Sequence, residues 1–348
     1  MKLVHSFAFL FLTPVLFSCL QVDPKIEMPL PADHLIQTIP EGWPQPVYQF
    51  ENNPITENRF ILGRYLFYER LLSSNNTISC GSCHQNFTAF ANADHAVSHG
   101  INNLTGKRNS PSIFNVAWHP AFMHDGGINH IEVQPLAPIQ NPVEMGEKIT
   151  HVVEKLQASE KYRNLFTLAY GDDSVTTQRM FWSMAQFMGL MLSSESKYDR
   201  FKRHEEELTA QELRGYNQFV EKCSSCHKEP LMSDFKYRNN GVAISPIYQD
   251  SGRYRITKQP GDLYKFKTPS LRNIALTKPY MHDGRYATLE QCLDHYTNGI
   301  KNLTNLDPSL TTGIPLSPEQ KKDIIVFLNT LTDFNFIADK RFSDPNYN

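Results

Sequence analysis

Apolar residues recur three and four positions apart along much of the chain, and this spacing predicts a mainly α-helical protein. The clearest helix start is a capping box of Thr209 and Glu212, after which apolar positions on one face lead toward Cys223. A second start at Ser317 precedes another apolar face over residues 324–331. Runs that alternate apolar and polar residues, as half-buried strands do, are missing from the sequence.

Two further segments complete the helical pattern. Residues 57–72, with the sequence ENRFILGRYLFYERLL, predict an apolar helix ahead of the first cysteine pair. Residues 176–194 predict a methionine-rich helix, and its apolar stripe is expected to belong to the core rather than to bind a cofactor. The stripe consists of Met180, Met184, Phe187 and Met191. Residues 20–52 are rich in proline and predict an extended arm.

The chain contains an internal repeat. The segment SPSIFNVAWHPAFMHDG at 110–126 aligns without a gap on TPSLRNIALTKPYMHDG at 268–284. Each copy follows a Cys-x-x-Cys-His pentad, CGSCH at 80–84 and CSSCH at 223–227. The repeat predicts two structural units of similar fold.

The Cys-x-x-Cys-His pentad is the attachment signature of c-type haem. Two thiols on one helical turn can each add to a vinyl group of the same porphyrin, and the adjoining histidine then lies beneath the iron. With 6 Cys and 13 His in 348 residues, such a pentad should arise by chance on the order of once in several hundred chains. We therefore predict two covalently bound haem c groups. The two attachment sets are Cys80, Cys83 and His84, and Cys223, Cys226 and His227.

A zinc site made of all four cysteines is the alternative interpretation. Structural zinc sites usually take their cysteine pairs from within a few tens of residues, whereas these pairs lie far apart in the chain. Zinc also gives no reason for a histidine directly after both pairs. The pattern therefore favours haem.

The N-terminal residues 1–19, MKLVHSFAFLFLTPVLFSC, have the charge and apolar run of a secretory signal. The run is too short to be a membrane span. Cys19 at its end resembles the lipidated cysteine of a bacterial lipoprotein, although Phe17 is bulky for that motif; a soluble secreted form is the alternative. Both interpretations place the protein in the periplasm or cell envelope. Cys292 is expected to be a buried, unreactive thiol on a helix.

Charge, hydropathy and length argue against a nucleic-acid-binding protein and against a membrane span after the signal, and they allow two domains. The formal net charge of −2 indicates no nucleic-acid partner. No segment after the signal is apolar enough to cross a bilayer. A chain of 348 residues has room for two domains, as the repeat also indicates.

Seven segments in a fixed order give the chain a close resemblance to the bacterial di-haem cytochrome c peroxidases, which include the di-haem enzyme that matures the tryptophylquinone of methylamine dehydrogenase. They are LGRYLFYERLL, CGSCH, KRNSPSIFN, QPLAPIQNPVEM, CSSCH, FKTPSLRN and LTKPYMHDG, spread over about residues 55–335. The resemblance implies two facing cytochrome c domains with a calcium ion between them. Residues 53–202 would carry the peroxidatic haem, and residues 203–348 the electron-transfer haem and a C-terminal tail.

The resemblance also implies several binding residues. It places His282 beside the second haem, where a supporting contact is favoured over ligation of the iron. It maps the calcium ligands onto the side chain of Asn109 and the carbonyl groups of Thr277 and Pro279. Neutral oxygen donors suit this hard cation.

Within QPLAPIQNPVEM, Gln134 and Glu144 match the distal residues of the family. A carboxylate in a partly desolvated pocket can move a proton from the near to the far oxygen of hydrogen peroxide. Without the resemblance, Glu144 would be interpreted as a solvated residue of an irregular, proline-containing segment.

The sequence offers more than one candidate for the sixth ligand of each haem iron. His99 and His95 follow His84 at about the distance at which some family members place a histidine over the resting peroxidatic iron, and both could instead be surface residues. Above the second iron, composition suggests Met281, because methionine is a common haem ligand. The repeat argues against it, because Met123 occupies the same place in the other half.

Alignment through HDGRYATLEQCLDHY instead puts the ligand position of the family at Tyr296, where electron-transferring peroxidases have methionine and the quinone-maturing enzyme has tyrosine. A phenolate is a hard anionic donor that lowers the iron potential. A core aromatic is the alternative for Tyr296.

One position departs from the family. Where the family has a tryptophan between the haems, this chain has His124, and imidazole is much harder to oxidise than indole. We expect His124 to be a structural hydrogen-bonding residue. Coupling of the haems would then rely on tunnelling or on another aromatic side chain such as Trp118.

Three function classes follow. The first is a peroxidase that reduces hydrogen peroxide with electrons from a small donor protein, either a c-type cytochrome or a copper protein. The second is an oxidase that uses peroxide to modify residues of a partner protein. The third is a di-haem electron carrier, against which Gln134 and Glu144 argue. A lipid anchor to the membrane and a homodimer are further expected associations.

Overall fold

The computed structural model of the chain describes residues 35–93 and 95–347. The predicted signal with Cys19 and the first part of the predicted arm lie outside the described residues. The described part is mainly α-helical, as predicted, and its strands are only two residues long.

Six α-helices form the first half: α1 Glu57–Tyr68, α2 Cys80–Cys83, α3 Leu136–Gln140, α4 Ile149–Ala158, α5 Glu160–Tyr170 and α6 Thr177–Gly189. The helices that follow are α7 Lys197–Lys202, α8 Ala210–Lys222, α9 Tyr254–Thr257, α10 Leu289–Asp294, α11 Pro318–Asn329 and α12 Phe334–Ala338. A π-helix spans His295–Gly299. Strands β1 Tyr237–Arg238 and β2 Phe266–Lys267 pair antiparallel.

Short 3₁₀ turns connect these elements. They are Arg70–Leu72, Asn86–Thr88, Ile101–Asn103, Val116–Trp118, Ile131–Val133, Pro260–Asp262, Ile274–Leu276, Pro308–Leu310 and Lys340–Phe342. No helix among residues 35–93 and 95–347 is long and apolar enough to cross a membrane.

The predicted helix starts are confirmed. The Thr209 side chain accepts a hydrogen bond from the backbone N–H of Glu212, and the Glu212 carboxylate accepts one from the backbone N–H of Thr209. Ser317 caps α11 in the same way with Gln320. Each capping box satisfies backbone donors that the first helical turn leaves unpaired.

Each half is built on a pair of helices that cross at a glycine. In the first half α1 packs on α6, and a Cβ added to Gly63 would lie 2.0 Å from the carbonyl oxygen of Ser183. In the second half α8 packs on α11, and a Cβ added to Gly215 would lie 1.9 Å from the carbonyl oxygen of Asp323. Glycine is required at both crossings because any side chain would separate the helices.

The internal repeat is also a structural repeat. Asn115 and Asn273 both have left-handed backbones, with φ of 55° and 56°, and each precedes a 3₁₀ turn. The side-chain oxygen of Asn115 accepts the N–H of Ser193, and that of Asn273 accepts the N–H of Asp333. The fourth residue beyond the end of α6 and of α11 is therefore tied to the repeat of its half in the same way.

The Met-His-Asp-Gly turns also match. Met123 and Met281 have φ of 66° and 72°, a left-handed conformation that costs energy for a residue with a long side chain. Both turns close through a bridge, Phe122 with Ile128 and Tyr280 with Tyr286. Both methionines therefore hold the same unusual position in the fold.

The core of the first half contains the methionine-rich stripe. Met180, Met184, Phe187 and Met191 are each 0% exposed, which confirms that they are core residues. Phe336 and Phe342 from the C-terminal tail belong to the same core. The tail that the sequence assigns to the second domain thus packs into the first half.

The described part of the predicted arm is packed against the protein. Leu35 and Phe50 are buried, and the N–H of Tyr48 donates to the carbonyl oxygen of Ala117 at 3.0 Å. Trp43 meets Trp118 edge to face, with ring centroids 5.2 Å apart. The arm therefore covers the junction between the two halves.

Candidate functional site

The first pentad forms its own short helix. Cys80 and Cys83 lie at the two ends of α2, and His84 follows as its C-terminal cap. His84 Nδ1 lies 2.9 Å from the carbonyl oxygen of Phe90, so the tautomer protonated at Nδ1 donates to that carbonyl. This leaves Nε2 of His84 available as a metal ligand.

The second pentad begins where α8 ends, at Cys223. His227 Nδ1 lies 3.2 Å from the carbonyl oxygens of both Met232 and Pro269. As with His84, hydrogen bonding at Nδ1 leaves Nε2 as the free nitrogen. The two imidazoles therefore make the same kind of contact through Nδ1.

Both sites fit haem c. Each histidine lies beside the carbonyl group of the proline at the second position of its copy of the repeat, Pro111 for His84 and Pro269 for His227. None of the four pentad cysteines forms a disulfide. Among the residues that the structure describes, no three His, Cys, Asp or Glu side chains converge on a metal position, so the four cysteines do not form one zinc site.

Glu144 lies in a turn that folds back on α3. Its backbone carbonyl accepts from the N–H of Ile101 at 2.8 Å, and its carboxylate accepts from Asn141 Nδ2 at 2.7 Å. Burial raises the pKa of Glu144, and this carboxylate acts electrostatically on both Cys80 and Cys83. The segment is ordered and half-buried, contrary to the alternative of a solvated irregular loop.

Gln134 lies at the other end of α3. It caps the 3₁₀ turn Ile131–Val133, and its carbonyl oxygen accepts from the N–H of Ala137 at 3.3 Å. Its side chain is half-buried. A single helical turn thus connects the two predicted distal residues, Gln134 and Glu144.

The two histidines after the first pentad lie on the surface. His99 and His95 are exposed, with ring centroids 5.2 Å apart. His99 Nδ1 lies 2.7 Å from Asn103 Oδ1, and His95 Nδ1 lies 3.1 Å from the carbonyl oxygen of Ala93. This arrangement favours the surface alternative for both residues.

The two candidate ligands of the second iron meet at one amide. Asn240 Nδ2 lies 3.6 Å from Met281 Sδ and 3.4 Å from the Tyr296 hydroxyl. Tyr296 lies in the π-helix, and burial raises its pKa to about 12. The cysteines Cys223 and Cys226 act electrostatically on Tyr296. The phenol therefore lies on the side of the second pentad.

Two residues that the sequence did not single out hold Tyr296 in place. His295 is 3% exposed, and its Nε2 lies 3.0 Å from the carbonyl oxygen of Asn240. Asn240 therefore contacts His295 through its backbone and Tyr296 through its side chain. Asn240 is remote in sequence from both residues, and no local pattern marks it.

Asn109 joins the two copies of the Met-His-Asp-Gly turn. Its N–H donates to the carbonyl oxygen of His282 at 2.8 Å, and its own carbonyl lies 2.9 Å from His124 Nε2. The side-chain nitrogen donates to the carbonyl oxygen of Ala96 at 3.1 Å. Thr277 and Pro279 precede the second turn and are half-buried. The calcium set of Asn109, Thr277 and Pro279 stays a prediction.

His282 stacks on Phe266, with ring centroids 3.8 Å apart and planes at 13°. Burial lowers the pKa of His282 to about 4. It also lines a small cavity together with Asn240 and Asp250. This packing favours the prediction that His282 makes a supporting contact beside the second haem rather than ligating its iron.

Basic groups surround His124. Burial, together with the positive charges of Arg108 and Lys267, lowers the pKa of His124 to about 4. The Lys267 N–H donates to the carbonyl oxygen of His124 at 2.7 Å. Trp118 lies elsewhere at the junction, 4% exposed, with Nε1 donating to the carbonyl oxygen of Pro44 at 2.8 Å.

An arginine cluster closes the junction, and sequence reasoning missed it. Arg108 donates to Asp250 at 2.5 and 2.8 Å and to Asp125 at 2.6 Å. Arg255 donates to Asp125 at 2.9 Å. Arg108 precedes Asn109 in the RNSP motif, which was the only signal available for it.

The free thiol of Cys292 is half-buried rather than fully buried. Burial nevertheless raises its pKa to about 12, which suits an unreactive thiol.

Comparison with known proteins finds matches over most of the chain. Residues 57–207 match the family model described as di-haem cytochrome c peroxidase. The chain is 32% identical over 299 residues to the methylamine utilization protein MauG of Methylorubrum extorquens, covering 84% of this chain and 82% of that protein. It is 35% identical over 283 residues to the cytochrome c551 peroxidase of Nitrosomonas europaea, covering 78% of this chain and 79% of the relative.

Two solved structures superpose on most of the chain. A MauG-like protein associated with microbial copper homeostasis superposes with a TM-score of 0.81 at 33% identity, covering 88% of this chain and 98% of the other. The diheme peroxidase BthA from Burkholderia thailandensis superposes with a TM-score of 0.70 at 22% identity, covering 82% of this chain and 88% of BthA. At 22% identity, the similarity to BthA is evidence for a shared fold alone.

Proposed function

The chain belongs to the di-haem cytochrome c peroxidase family, and from that premise we propose that it reduces hydrogen peroxide to water with electrons from a small redox protein. The family carries two haem c groups, and the two pentads provide the attachment sites. The observation that carries the proposal is the desolvated carboxylate of Glu144, held beside the first pentad by Asn141.

The first half would perform the peroxide chemistry. Cys80, Cys83 and His84 would hold a haem whose iron, when present, binds peroxide and supplies electrons to it. Glu144 accepts the proton of the near peroxide oxygen and returns it to the far oxygen, which leaves as water. Its raised pKa brings the carboxyl closer to the pH at which it can both accept and donate a proton. Gln134, at the start of α3, would orient the peroxide.

The second half would supply the electrons. Cys223, Cys226 and His227 would hold the other haem, and Tyr296 would be a further ligand of its iron. Asn240 positions the phenol through the contact of 3.4 Å. We place Met281 as the alternative ligand, because its sulfur lies 3.6 Å from the same amide.

A second function, peroxide-dependent oxidation of a partner protein, is favoured by one observation. Tyr296 occupies the position that the family's quinone-maturing enzyme fills with tyrosine, and the phenol lies on the side of the second pentad. His124 argues in the other direction. Its buried imidazole is a poor site for a hole, and Arg108 and Lys267 beside it disfavour added positive charge.

Calcium and localisation complete the proposal. We infer a calcium ion bound by Asn109, Thr277 and Pro279, at the junction where Asn109 contacts both Met-His-Asp-Gly turns.

The N-terminal signal and Cys19 support a lipid-anchored protein of the periplasm or cell envelope. A c-type cytochrome and a copper protein stay the two candidate donors.

Steady-state turnover separates the two functions. The haem-loaded protein should oxidise a reduced c-type cytochrome or a reduced copper protein with a stoichiometry of two electrons per peroxide. Failure with every small donor, together with peroxide-dependent modification of a partner protein, would favour the oxidase. Rapid mixing with peroxide offers a second readout, because a near-infrared band between coupled haems is expected of the oxidase and not of this peroxidase.

A further inference from the structure

A carboxylate near the distal pocket binds two oxidisable side chains. Glu132 accepts a hydrogen bond from the Tyr48 hydroxyl at 2.6 Å and from Trp182 Nε1 at 3.1 Å. One carboxylate oxygen serves each donor. Tyr48 comes from the N-terminal arm, Glu132 from the 3₁₀ turn Ile131–Val133 and Trp182 from α6, so the cluster exists only in the folded protein.

A buried amide fixes the geometry of this cluster. Asn53 is 0% exposed, and its Nδ2 donates to the Tyr48 hydroxyl at 3.2 Å and to the carbonyl oxygen of Trp182 at 2.9 Å. Gln186 in turn donates to Asn53 Oδ1 at 2.9 Å. The phenol therefore has one donor and one acceptor already in place, and its proton points at Glu132.

The cluster adjoins the proposed distal segment in the chain and reaches the surface. Glu132 is two residues before Gln134, which caps the 3₁₀ turn Ile131–Val133. On the other side, His130 Nδ1 lies 3.9 Å from Glu132 Oε2, and the His130 side chain is 50% exposed. A proton that reaches Glu132 thus has a polar neighbour at the surface.

We propose that Tyr48, Glu132 and Trp182 form a redox-active site in which the enzyme oxidises its own side chains when peroxide is present and the electron donor is absent. The proposal rests on the proposed peroxide chemistry. Tyr48 would lose one electron to the oxidant generated from peroxide at the first pentad and its phenolic proton to Glu132. The phenolic O–H bond breaks, a carboxyl O–H bond forms, and the peroxide-derived oxidant takes up the electron.

Proton transfer makes this site easier to oxidise than an isolated phenol. A phenol that loses an electron becomes a strong acid, so an acceptor already in hydrogen-bond contact removes the cost of a charged product. Glu132 can take only one proton, so Tyr48 and Trp182 cannot both lose theirs to it. The shorter contact, 2.6 Å against 3.1 Å, favours Tyr48 as the residue that holds the radical.

Other tyrosines have equally short carboxylate contacts but lie near cations. Tyr198 donates to Glu229 at 2.6 Å, yet Lys202 Nζ is 3.5 Å from that carboxylate and the Arg272 guanidinium lies 5.9 Å from the ring. A neighbouring cation makes loss of an electron less favourable and holds the carboxylate ionised. Around Tyr48 the ionisable neighbours are the Glu132 carboxylate and the Tyr170 phenol and the His130 imidazole, whose ring centroid lies 5.5 Å from that of Tyr48. None of these groups carries a permanent positive charge, unlike lysine and arginine.

Tyr162 is a second comparison within the first half. It donates to Glu69 at 2.6 Å, but Lys161 Nζ lies 5.5 Å from its ring centroid and the residue is only 1% exposed. Tyr162→Phe and Tyr198→Phe are therefore matched controls, because each removes a phenol–carboxylate contact of the same length as that of Tyr48.

The test uses the full-length haem-loaded protein. It is mixed with excess peroxide without donor, frozen within milliseconds to seconds and studied by electron paramagnetic resonance. A tyrosyl signal is expected, with hyperfine structure that collapses when the protein carries ring-deuterated tyrosine. Tyr48→Phe should remove this signal or convert it to a tryptophanyl one, whereas Tyr162→Phe and Tyr198→Phe should leave it unchanged. A tyrosyl signal that survives in Tyr48→Phe overturns the proposal.

Replacement of the base tests the proton transfer. Glu132→Gln keeps the size of the side chain but cannot accept the proton, and radical formation should slow by roughly 100-fold. Glu132→Asp should restore part of the rate, which a purely structural role would not predict. Circular dichroism and the haem spectra verify that each variant is folded and loaded.

Peptide mass spectrometry gives an independent readout. After peroxide treatment without donor, oxidation or cross-linking should concentrate on Tyr48 and Trp182 rather than on Tyr162 or Tyr198. If peroxide is consumed and the haem spectrum changes but neither a radical nor oxidised Tyr48 is found, this inference fails while the proposed function stands. If peroxide does not change the haem spectrum at all, the proposed function fails first.

Discussion

At the scale of single residues, hydrogen bonds orient the side chains of the proposed haem sites. Nδ1 of His84 and of His227 each face a carbonyl oxygen, which orients Nε2 as the free ligand atom. In the proposed distal pocket a side chain does the orienting, because Asn141 Nδ2 donates to the Glu144 carboxylate at 2.7 Å. The positions of these side chains can therefore be tested one at a time.

Replacement of the predicted proton carrier is the most direct test. Glu144→Gln should lower peroxide turnover by roughly 100-fold while both haem spectra persist, because the amide cannot accept the peroxide proton. Glu154→Gln, on the exposed face of α4, is the control and should leave turnover unchanged. Normal turnover in Glu144→Gln would remove this carboxylate from the mechanism.

The ligand of the second iron can be decided by a pair of variants. Tyr296→Phe should change the low-spin absorption spectrum and raise the reduction potential of that haem, because an anionic oxygen donor is lost. Met281→Leu should change little. The opposite result would make Met281 the ligand and would strengthen the interpretation as a simple electron-transferring peroxidase.

At the scale of secondary-structure elements, the two halves repeat one design. A helix before the pentad crosses a later helix at a glycine. The fourth residue beyond the later helix donates its N–H to an asparagine of the repeat. The C-terminal helix α12 breaks this symmetry. It continues from Asp333, which is bonded to Asn273 of the second half, and inserts Phe336 into the core of the first half.

The helix crossing should be intolerant of even one added methyl group. Gly63→Ala would place a carbon 2.0 Å from the carbonyl oxygen of Ser183, and separation of α1 from α6 should cost about 1–3 kcal/mol or more. Gly106→Ala is the control, because a Cβ there meets no atom within 4 Å. Equal urea midpoints for the two variants would contradict this account of the crossing.

The tail should stabilise the first half. Phe336 is 4% exposed and packs on Phe90, whose carbonyl orients His84. Phe336→Ala should lower the free energy of unfolding by about 3–5 kcal/mol and perturb the spectrum of the first haem. Phe334→Ala, in the same helix but 72% exposed, should be nearly neutral in both measurements. A similar loss in both variants would show that the helix, rather than the buried ring, is responsible.

At the scale of the whole molecule, the junction between the halves is held by charge and by the arm. Arg108 ties Asp125 of the first half to Asp250 of the second. Trp43 of the arm contacts Trp118, and the Arg272 guanidinium lies 4.6 Å from the Trp43 ring. The candidate calcium residues lie at this same junction, so its integrity should affect both haem sites together.

Acid should weaken the junction in a defined pH range. Burial alone would raise the pKa of Asp250, but hydrogen bonds from Arg108 outweigh it and lower the pKa from 3.8 to about 2. A depressed pKa stabilises the folded state fully above the unfolded value, and this contribution, roughly 2 kcal/mol, is lost as the pH falls from about 4 to about 2.

The difference in unfolding free energy between wild type and Asp250→Asn, measured by urea titration, should therefore shrink as the pH falls from about 4 to about 2. Asp172→Asn provides the surface comparison, because Asp172 and Arg179 form an exposed pair. A difference for Asp250→Asn that stays constant down to pH 2 would exclude this linkage.

From the sequence alone, the helical class, the internal repeat, both pentads and the main helix starts could be predicted. These features depend on spacing within one turn of helix or on short motifs, so local chemistry is sufficient to specify them. Thr209 caps its helix and Met180 lies in the core for reasons that neighbouring residues already contain. Resemblance to a family added Gln134 and Glu144, whose roles no local pattern reveals.

Only the tertiary structure decided which distant residues meet. Asn240 reaches Tyr296, Arg108 reaches Asp250, and Tyr48 reaches Glu132 across long stretches of chain. Such contacts depend on how the two helix crossings and the tail position whole segments, and that positioning reflects packing of the complete core rather than any local preference. For the same physical reason, the sequence assigned the tail to the second domain, whereas its buried phenylalanines lie in the first.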